Sequence, residues 1–181
     1  MVESGKRIAR KTLYEGKIFT VAEDTIKFPD GSQTKWDVLL HSGAAAIVPI
    51  DNDGNIILVE QYRCVADDMI LEIPAGKIDE GEDPISCAIR ELEEETGYKA
   101  KEVKAIGSIY SAVGFSDEEV MLFVANGLEA GKMNLDENEY INVKKFTLKE
   151  VIDMILDGKI KDSKTIAAIL KTKEMVQQEV L

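Results

Sequence analysis

Apolar and polar side chains alternate along two segments near the start of the chain. Residues 17–28 and 34–41 show this period-two pattern on either side of Pro29-Asp30-Gly31, whose residue types favour a turn. Two alternating segments joined by a short turn are typical of paired strands. The pattern therefore predicts an antiparallel hairpin in this region.

Residues 44–50 and 55–62 predict a second pair of strands. Turn-forming residues, Asp51-Asn52-Asp53-Gly54, separate the two segments and favour a second hairpin. Because residues 44–50 are almost wholly apolar, both faces of that strand should be buried. We therefore expect this pair at the centre of the domain.

The later part of the chain mixes strand and helix patterns, without repeats or low-complexity tracts. It reads as a continuous mixed α/β chain. Its remaining predicted elements are strands at 103–111, 119–125 and 140–146 and helices at about 148–157 and 163–178.

A further helix is predicted over residues 84–96. Asp83 can cap the free N–H groups at its start, and Pro84 at the first helical position loses no hydrogen bond. Gly97 provides a natural end. Spacings of three and four residues predict a buried stripe along this helix, formed by Ile85, Ala88, Ile89 and Leu92.

Carboxylates crowd onto an adjacent face of the same helix. Glu91, Glu94 and Glu95 project together there, and Glu91 and Glu95 stand four residues apart. Like charges at this spacing destabilise a helix by roughly 0.2–0.5 kcal/mol per pair, a penalty that a bound divalent cation would reverse. We interpret the face as a site for a hard metal ion, with an ordinary solvated acidic helix as the alternative.

This helix and the loop before it resemble the Nudix box. The family pattern is Gly-x5-Glu-x7-Arg-Glu-U-x-Glu-Glu-x-Gly-U, with U aliphatic, and it matches from Gly76 through Glu82 to the run Arg90–Gly97. Only Tyr98 departs, at the last aliphatic place. The resemblance implies the Nudix fold, an α/β (α+β) arrangement in which a mixed β-sheet is sandwiched between helices, here with an N-terminal antiparallel hairpin.

The resemblance also implies roles for single residues of the box. Glu91 and Glu95 would be the main ligands of Mg²⁺, or of Mn²⁺ in its place. Glu94 would be a shared or water-mediated ligand, and the backbone carbonyl of Ala75 would complete the site. Glu93 points to the opposite face and is expected at the surface. The residues expected to support the loop and the helix are Gly76, Glu82 and Arg90.

Hydrolysis of a diphosphate also needs a base that accepts the proton of the attacking water. In many members of the superfamily this base lies on a later loop, and residues 114–119, Gly-Phe-Ser-Asp-Glu-Glu, form a glycine-started acidic loop in the matching place. Resemblance to the ADP-ribose pyrophosphatases assigns the role to Glu118. Glu119 is the rival candidate, and a merely solvated loop is the other alternative.

Segments outside the box resemble the nucleoside-diphosphate-sugar hydrolases, which include the ADP-ribose pyrophosphatases. Arg63 would donate hydrogen bonds to a phosphate or ribose oxygen, unless it forms a surface salt bridge. Trp36 would stack on the purine while Asp37 accepts its amino hydrogens; the alternative for Trp36 is a place in the core or at a dimer contact. The runs that carry this resemblance are His41–Ala44, Glu60–Arg63 and Leu71–Gly76.

One departure from the pattern concerns the substrate. The ADP-ribose pyrophosphatases usually have Pro directly before the loop Gly, whereas this chain has Ser111-Ala112-Val113-Gly114. ADP-ribose, cleaved to AMP and ribose 5-phosphate, is the substrate implied first, and GDP-mannose or another nucleotide sugar is the alternative. A house-cleaning nucleoside-triphosphate pyrophosphatase often lacks the features at 41–63, and a non-catalytic ligand sensor would be expected to carry a degraded box.

Net charge, cysteine content and the length of apolar runs indicate which partners and which cellular compartment to expect. The 181 residues carry a formal net charge of −12, which disfavours nucleic acid as a partner because its binders usually show a basic patch. Cys64 and Cys87 are too few for a disulfide framework and are expected to be apolar filler in a reducing cytosol. The longest apolar run, 44–50, is too short to span a bilayer, so we expect a cytoplasmic protein without a membrane partner.

The first hairpin is expected to stand apart from the catalytic core. We therefore divide the chain into an N-terminal hairpin and dimerisation region, 1–41, and a Nudix hydrolase domain, 42–181. In the nucleotide-sugar group the N-terminal strands commonly exchange across a two-fold axis, so the resemblance implies a homodimer. Burial of Val38 and Leu40 against a partner would favour the same arrangement.

Overall fold

The computed structural model describes residues 4–135, 137 and 140–178. The chain folds as two compact units. The first unit spans Met1–Gly43 and Tyr110–Glu119, and the second spans Ala44–Ile109 and Val120–Leu181.

The first unit contains a three-stranded antiparallel sheet of β1 (Lys6–Glu15), β2 (Thr20–Lys27) and β3 (Gln33–Leu40), with β2 in the middle. The predicted hairpin is confirmed as β2 and β3, and the Phe28 N–H closes its turn by donating to the Ser32 carbonyl at 2.9 Å. Strand β1 was not predicted. All of its residues are exposed, and its Lys and Arg residues obscure the alternation that marks a half-buried strand.

An ion pair to a buried carboxylate fixes β1 against β2. Arg10 donates to the two carboxylate oxygens of Asp24 at 2.6 and 2.7 Å, although Asp24 is only 5% exposed. The hydrogen bonds from Arg10 outweigh burial and hold the pKa of Asp24 below its usual range. Because a guanidinium meets a carboxylate in one forked geometry, this pair helps to set the register of the two strands.

The second unit is built on two larger sheets. In a four-stranded mixed sheet, β4 (Ala44–Pro49) lies between β7 (Ala75–Lys77), which is antiparallel to it, and β10 (Glu119–Asn126), which is parallel. Strand β9 (Glu102–Tyr110) lies at the edge beside β10.

In a three-stranded sheet, β5 (Asn55–Arg63) is antiparallel to β6 (Asp68–Glu72) and β12 (Ile141–Thr147). The short strands β8 (Tyr98–Lys99) and β11 (Glu129–Ala130) pair with each other.

The prediction of a second hairpin is wrong. Strands β4 and β5 belong to different sheets, and an isolated bridge between Ile50 and Ile56 joins their ends. The turn itself forms, with Gly54 in the left-handed region (φ 81°) and its N–H donating to the Asp51 carbonyl at 2.9 Å. Turn chemistry located the reversal correctly, but β4 pairs with the distant β10, which no local pattern specifies.

Helices α1 (Pro84–Thr96), α2 (Leu148–Leu156) and α3 (Ser163–Gln177) lie where the sequence predicts helices. Each begins at a capping side chain that accepts a backbone N–H, supplied by Asp83, Thr147 and Asp162 respectively. Helix α1 ends at Gly97, which adopts the left-handed conformation with φ 71°. None of the helices in the described ranges is long and apolar enough to cross a bilayer.

The buried stripe of α1 differs from the prediction. Ala88 and Leu92 are fully buried, but Ile85 and Ile89 are 40% and 41% exposed, and Cys87 is buried instead. Periodicity fixed the centre of the stripe but not the side to which it extends. Burial raises the pKa of Cys87 to about 12, so its thiol is inert filler as expected. The same expectation is wrong for Cys64, which is exposed.

Successive residues of the central strands enter two different cores. On β4, Ala46 and Val48 face one core, while Ala45 and Ile47 face the other. Helices α2 and α3 cover the first core and α1 covers the second. This is the predicted mixed sheet between helices. The helical residues buried in these cores are Val151, Ala168 and Ile169 on one side and Cys87, Ala88 and Leu92 on the other.

Candidate active site

The backbone of Gly76 lies directly against the carboxylate of Glu91. A β-carbon at residue 76 would fall 1.8 Å from Glu91 Oε1 and 2.1 Å from the carboxyl carbon. Any side chain at this position would therefore displace that carboxylate. Gly76 belongs to β7 and Glu91 to α1, so the missing side chain lets the acidic face of the helix approach the strand.

Arg90 is the centre of a charged network on α1. Its Nε and Nη2 donate to the two oxygens of Glu82 at 2.9 and 3.0 Å. Its Nη1 donates to Glu91 Oε1 at 2.6 Å and to Glu94 Oε2 at 3.0 Å. One guanidinium thus joins the loop before the helix to two carboxylates on it, which holds three acidic side chains close together.

The same network favours the charged forms of Glu82 and Arg90. The hydrogen bonds from Arg90 outweigh burial and lower the pKa of Glu82 from 4.5 to about 2. In return, the hydrogen bonds to Glu82 raise the pKa of Arg90. Because three carboxylates share one guanidinium, this face keeps an excess of negative charge and should attract a cation.

Glu95 points inward, beside the backbone of Ala75. It is 3% exposed, and its Oε2 accepts a hydrogen bond from the Ala75 N–H at 3.3 Å. The structure therefore brings Glu95 to the residue whose carbonyl was predicted as a ligand. Glu93 lies elsewhere on the helix and pairs with Lys99 at 3.3 Å.

The chemistry of these donors suits a hard divalent cation. In the part of the chain that the structure describes, no three His, Cys, Asp or Glu side chains form a ready-made metal cage. The carboxylates instead surround the Arg90 guanidinium. Mg²⁺ does not require an all-protein cage, because it keeps several waters and takes one or two carboxylates together with substrate phosphates.

Arg63 forms an ion pair inside the second unit. Its Nε and Nη2 donate to Glu72 Oε1 and Oε2 at 2.7 and 2.8 Å, and Glu72 is only 3% exposed. Lys164 on α3 also donates to Glu72. A surface salt bridge was the alternative prediction for Arg63, but its partner Glu72 and the contact between Glu72 and Lys164 were not predicted. The available signal was a single acid between the apolar residues Leu71 and Ile73.

Trp36 is exposed on β3 and does not occupy the core. Its side chain is 53% exposed, and its ring meets Phe28 edge to face at a centroid distance of 6.2 Å. This rules out the core alternative for Trp36. Asp37 follows it and lies opposite Glu23 on β2.

Backbone hydrogen bonds fix the loop that carries Glu118 onto the end of β3. Leu39 donates its N–H to the Phe115 carbonyl at 2.7 Å, and Asp117 returns a hydrogen bond to the Leu39 carbonyl at 3.1 Å. The Asp117 side chain also accepts the His41 N–H at 2.8 Å. The position of Glu118 is thus set relative to β3 rather than left to a loose loop.

His41 is the single histidine of the chain and lies beside Glu118. Its Nδ1 is 3.7 Å from Glu118 Oε1 and accepts a hydrogen bond from the Gly43 N–H at 3.0 Å. Nδ1 therefore lies between the Gly43 N–H and the Glu118 carboxylate. His41 belongs to one of the runs that carry the family resemblance, but no role was predicted for it.

Three features together characterise a Nudix hydrolase. They are a glycine that leaves room for a carboxylate, an arginine that binds several acidic side chains, and a mixed sheet between helices. The model of the NUDIX domain family matches residues 40–169. The chain therefore belongs to the Nudix family, which confirms the resemblance, the fold and the class of enzyme.

Several known proteins match this chain over nearly its whole length. The chain is 38% identical over 178 residues to the ADP-ribose pyrophosphatase of Bacillus subtilis (strain 168), covering 96% of each protein. It is 39% identical over 166 residues to the methanol dehydrogenase activator of Bacillus methanolicus, covering 91% of this chain and 90% of the relative. A crystal structure of ADP compounds hydrolase superposes with a TM-score of 0.86 at 22% identity, covering 100% of this chain and 99% of that one, which supports the fold.

Proposed function

We propose that this chain is a Mg²⁺-dependent pyrophosphatase of nucleoside-diphosphate sugars and that it cleaves ADP-ribose to AMP and ribose 5-phosphate. The observation that carries the reaction type is the intact acidic face of α1, where Arg90 joins Glu91 and Glu94 of the helix to Glu82 of the preceding loop. The choice of substrate is supported by the full-length relative from B. subtilis, which is named ADP-ribose pyrophosphatase.

Glu91, Glu94, Glu95 and the carbonyl of Ala75 are the proposed metal-binding groups. Bound Mg²⁺, or Mn²⁺ in its place, would neutralise negative charge on the diphosphate and make the attacking water more acidic. Gly76 supports this assignment because it leaves room for the Glu91 carboxylate. Glu82 and Arg90 are proposed to hold the carboxylates in place.

Other residues are proposed to bind and activate the reactants. Glu118 accepts the proton that water loses when its oxygen bonds to phosphorus and the bridging P–O bond breaks. Arg63 donates hydrogen bonds to a phosphate or ribose oxygen, and Trp36 and Asp37 recognise the base. The exposure of Trp36 supports this role, because a stacking platform must be open to ligand.

GDP-mannose is the second candidate substrate. The loop before the proposed base reads Ser111-Ala112-Val113-Gly114 and lacks the proline that is usual in ADP-ribose pyrophosphatases. This departure favours a broader nucleotide-sugar specificity.

We also propose that the chain is a cytoplasmic homodimer and that no nucleic acid or membrane is its partner. Support for self-association comes from large apolar side chains left exposed on β1 and β3. These are Ile8, Leu13, Tyr14 and Trp36, which are 48%, 50%, 60% and 53% exposed. Both cysteines are free thiols, which agrees with a reducing compartment.

The test is a product-resolved hydrolysis screen with the full-length chain. The substrates are ADP-ribose, GDP-mannose, UDP-glucose, NADH, diadenosine polyphosphates and 8-oxo-dGTP, each with Mg²⁺, with Mn²⁺ or with a chelator. We expect AMP and ribose 5-phosphate from ADP-ribose, at the highest kcat/KM of the set and only with metal. Preferred hydrolysis of 8-oxo-dGTP, or turnover in the chelator, would contradict the proposal.

A further inference from the structure

Glu72 is a buried carboxylate that holds two cations from different elements. Its side chain is 4% exposed, whereas that of Arg63, at the end of β5, is 41% exposed and that of Lys164, in the first turn of α3, is 17% exposed. Burial alone would raise the pKa of Glu72, but the hydrogen bonds from Arg63 and the charge of Lys164 hold it below its usual range. The carboxylate is therefore ionised at neutral pH.

Stability alone does not account for such a group. Taking a carboxylate and its partners out of water is costly, and well-packed apolar side chains often stabilise a fold as well as a buried ion pair does. A buried carboxylate provides something that an apolar side chain cannot, namely a fixed position and orientation for a guanidinium. The forked contact, at 2.7 and 2.8 Å, removes most of the freedom of the Arg63 side chain.

The ion pair leaves Arg63 with hydrogen-bonding capacity. A guanidinium has five N–H donors. Glu72 takes two of them, one from Nε and one from Nη2. The remaining donors belong to a side chain that is 41% exposed, so they can reach a ligand. Lys164 instead divides its contacts between Glu72 and Asp162, the latter at 3.0 Å, and so anchors the carboxylate from α3.

The Arg63–Glu72 pair is close enough to Glu95 of α1 to be affected by its charge. The negative charge of Glu95 contributes to the raised pKa of Arg63, after the larger effect of the hydrogen bonds to Glu72. Glu95 also accepts the N–H of Ala75, which follows Glu72 closely along the chain. An anionic diphosphate that approaches these carboxylates needs positive charge to offset the repulsion, and Arg63 supplies it at a fixed place.

We propose that Glu72 is a positioning residue, braced by Lys164, which orients Arg63 so that its remaining N–H donors bind the diphosphate of the substrate. The inference rests on the proposed function of the same site. Glu72 does not contact the substrate and acts through Arg63. Its loss should therefore weaken substrate binding more than it slows the chemical step.

The central test compares Glu72→Gln with a matched variant, Asp51→Asn. Asp51 is also a buried carboxylate of the second unit, with its side chain 8% exposed and Lys145 at 3.1 Å, but it lies at the turn after β4. For a nucleotide sugar that the wild type hydrolyses, we expect Glu72→Gln to raise KM about tenfold, with kcat within about threefold. Asp51→Asn should leave KM unchanged, while urea unfolding compares the stability of the two variants.

A double-mutant cycle separates positioning from general damage. In an Arg63→Met background, Glu72→Gln should change KM less than about twofold, because the residue it orients is gone. Arg63→Lys keeps the charge but not the fork and should raise KM as Glu72→Gln does, which provides the test if Glu72→Gln does not fold. Equilibrium binding of a methylene-bridged, non-hydrolysable analogue should weaken in parallel.

Each contrary outcome has one meaning. An unchanged KM in Glu72→Gln, an equal rise in Asp51→Asn or independent effects in the cycle would overturn the positioning role while the hydrolase function stands. If the wild type hydrolyses no nucleotide sugar, the proposed function fails, and this inference fails with it.

Discussion

The carboxylate of Glu91 occupies the space that a β-carbon at Gly76 would need, since that atom would lie 1.8 Å from Glu91 Oε1. Gly76 is not among the residues with positive φ, so its backbone conformation does not call for glycine. The first position of the box is therefore glycine for reasons of space. The Glu91 carboxylate cannot easily move aside, because Arg90 holds it at 2.6 Å.

Glu95→Gln should reduce turnover by a factor on the order of 10² or more, because it removes an anionic oxygen ligand while keeping the shape of the side chain. Steady-state rates across a Mg²⁺ titration test this. Glu93→Gln is the matched control on the same helix, since Glu93 pairs with Lys99 instead, and it should have little effect. Near-normal turnover of Glu95→Gln at saturating Mg²⁺ would remove Glu95 from the proposed metal site.

Glu118→Gln should lower kcat by roughly 10²–10⁴-fold with little change in substrate affinity, which is the usual contribution of a positioned general base. Glu119→Gln is the control and should be mild. Single-turnover rates of the two variants decide between them. If the effects are reversed, Glu119 is the base. If both variants are mild, the base is neither Glu118 nor Glu119.

Thr172→Val should stabilise the protein by about 1 kcal/mol. Among the described residues, the Thr172 hydroxyl is the buried side-chain oxygen or nitrogen without a hydrogen-bond partner, a situation that costs about 1–3 kcal/mol. Thr165→Val is the matched control on the same helix. Its hydroxyl accepts the Ile73 N–H at 2.9 Å, so that variant should lose stability. Urea unfolding of both variants checks the pair; equal destabilisation would show that Thr172 is satisfied.

Stability should fall in acid partly through Glu82. Its pKa is lowered from 4.5 to about 2 by Arg90, so its contribution is fully present above about pH 4.5 and is lost as the pH falls toward 2. Glu82→Gln should be less stable than the wild type at pH 7, and the difference should shrink between pH 4.5 and pH 2. Urea midpoints across this range measure the effect. A difference that stays constant with pH would mean that Glu82 contributes by packing alone.

Removal of residues 1–40 should abolish dimerisation and tight substrate binding, because β1, β2 and β3 lie in this region. Trp36→Ala should raise KM with a smaller effect on kcat, since a stacking platform contributes to binding. Light scattering gives the oligomeric state, and steady-state kinetics give the split between KM and kcat. A fully active monomer at micromolar concentration would contradict the dimer proposal.

Local chemistry in the sequence predicted the parts of the fold that depend on neighbours in the chain. Helix α1 has the predicted bounds because Asp83 and Gly97 cap it, whatever lies around it. Strand β1 was missed because its residues are exposed throughout, and the pairing of β4 was wrong because its partner β10 is far along the chain. Contacts between distant residues leave no periodic pattern.

In the candidate site too, features that are local in the chain were predicted, whereas contacts between distant residues were not. The motif placed Glu91, Glu94 and Arg90 on one helix, and the structure joins them through hydrogen bonds. Glu72, by contrast, pairs with Lys164 on a helix that is far along the chain, and no pattern in the sequence predicts that contact. A lone acid in an apolar run signals that some partner is needed but does not identify it.

Because side chains alternate along the strands of the second unit, substitutions on the two faces of the sheet affect different cores. Ala46 and Val48 pack with α2 and α3, while Ala45 and Ile47 pack with α1, so side chains on the two sides meet mainly through the strand backbone. The buried side chains of α2 and α3 therefore do not pack against the buried side chains of the helix that bears the carboxylates. Engineering for stability therefore has room among those buried side chains, provided that Lys164 and Thr165 of α3 keep their contacts.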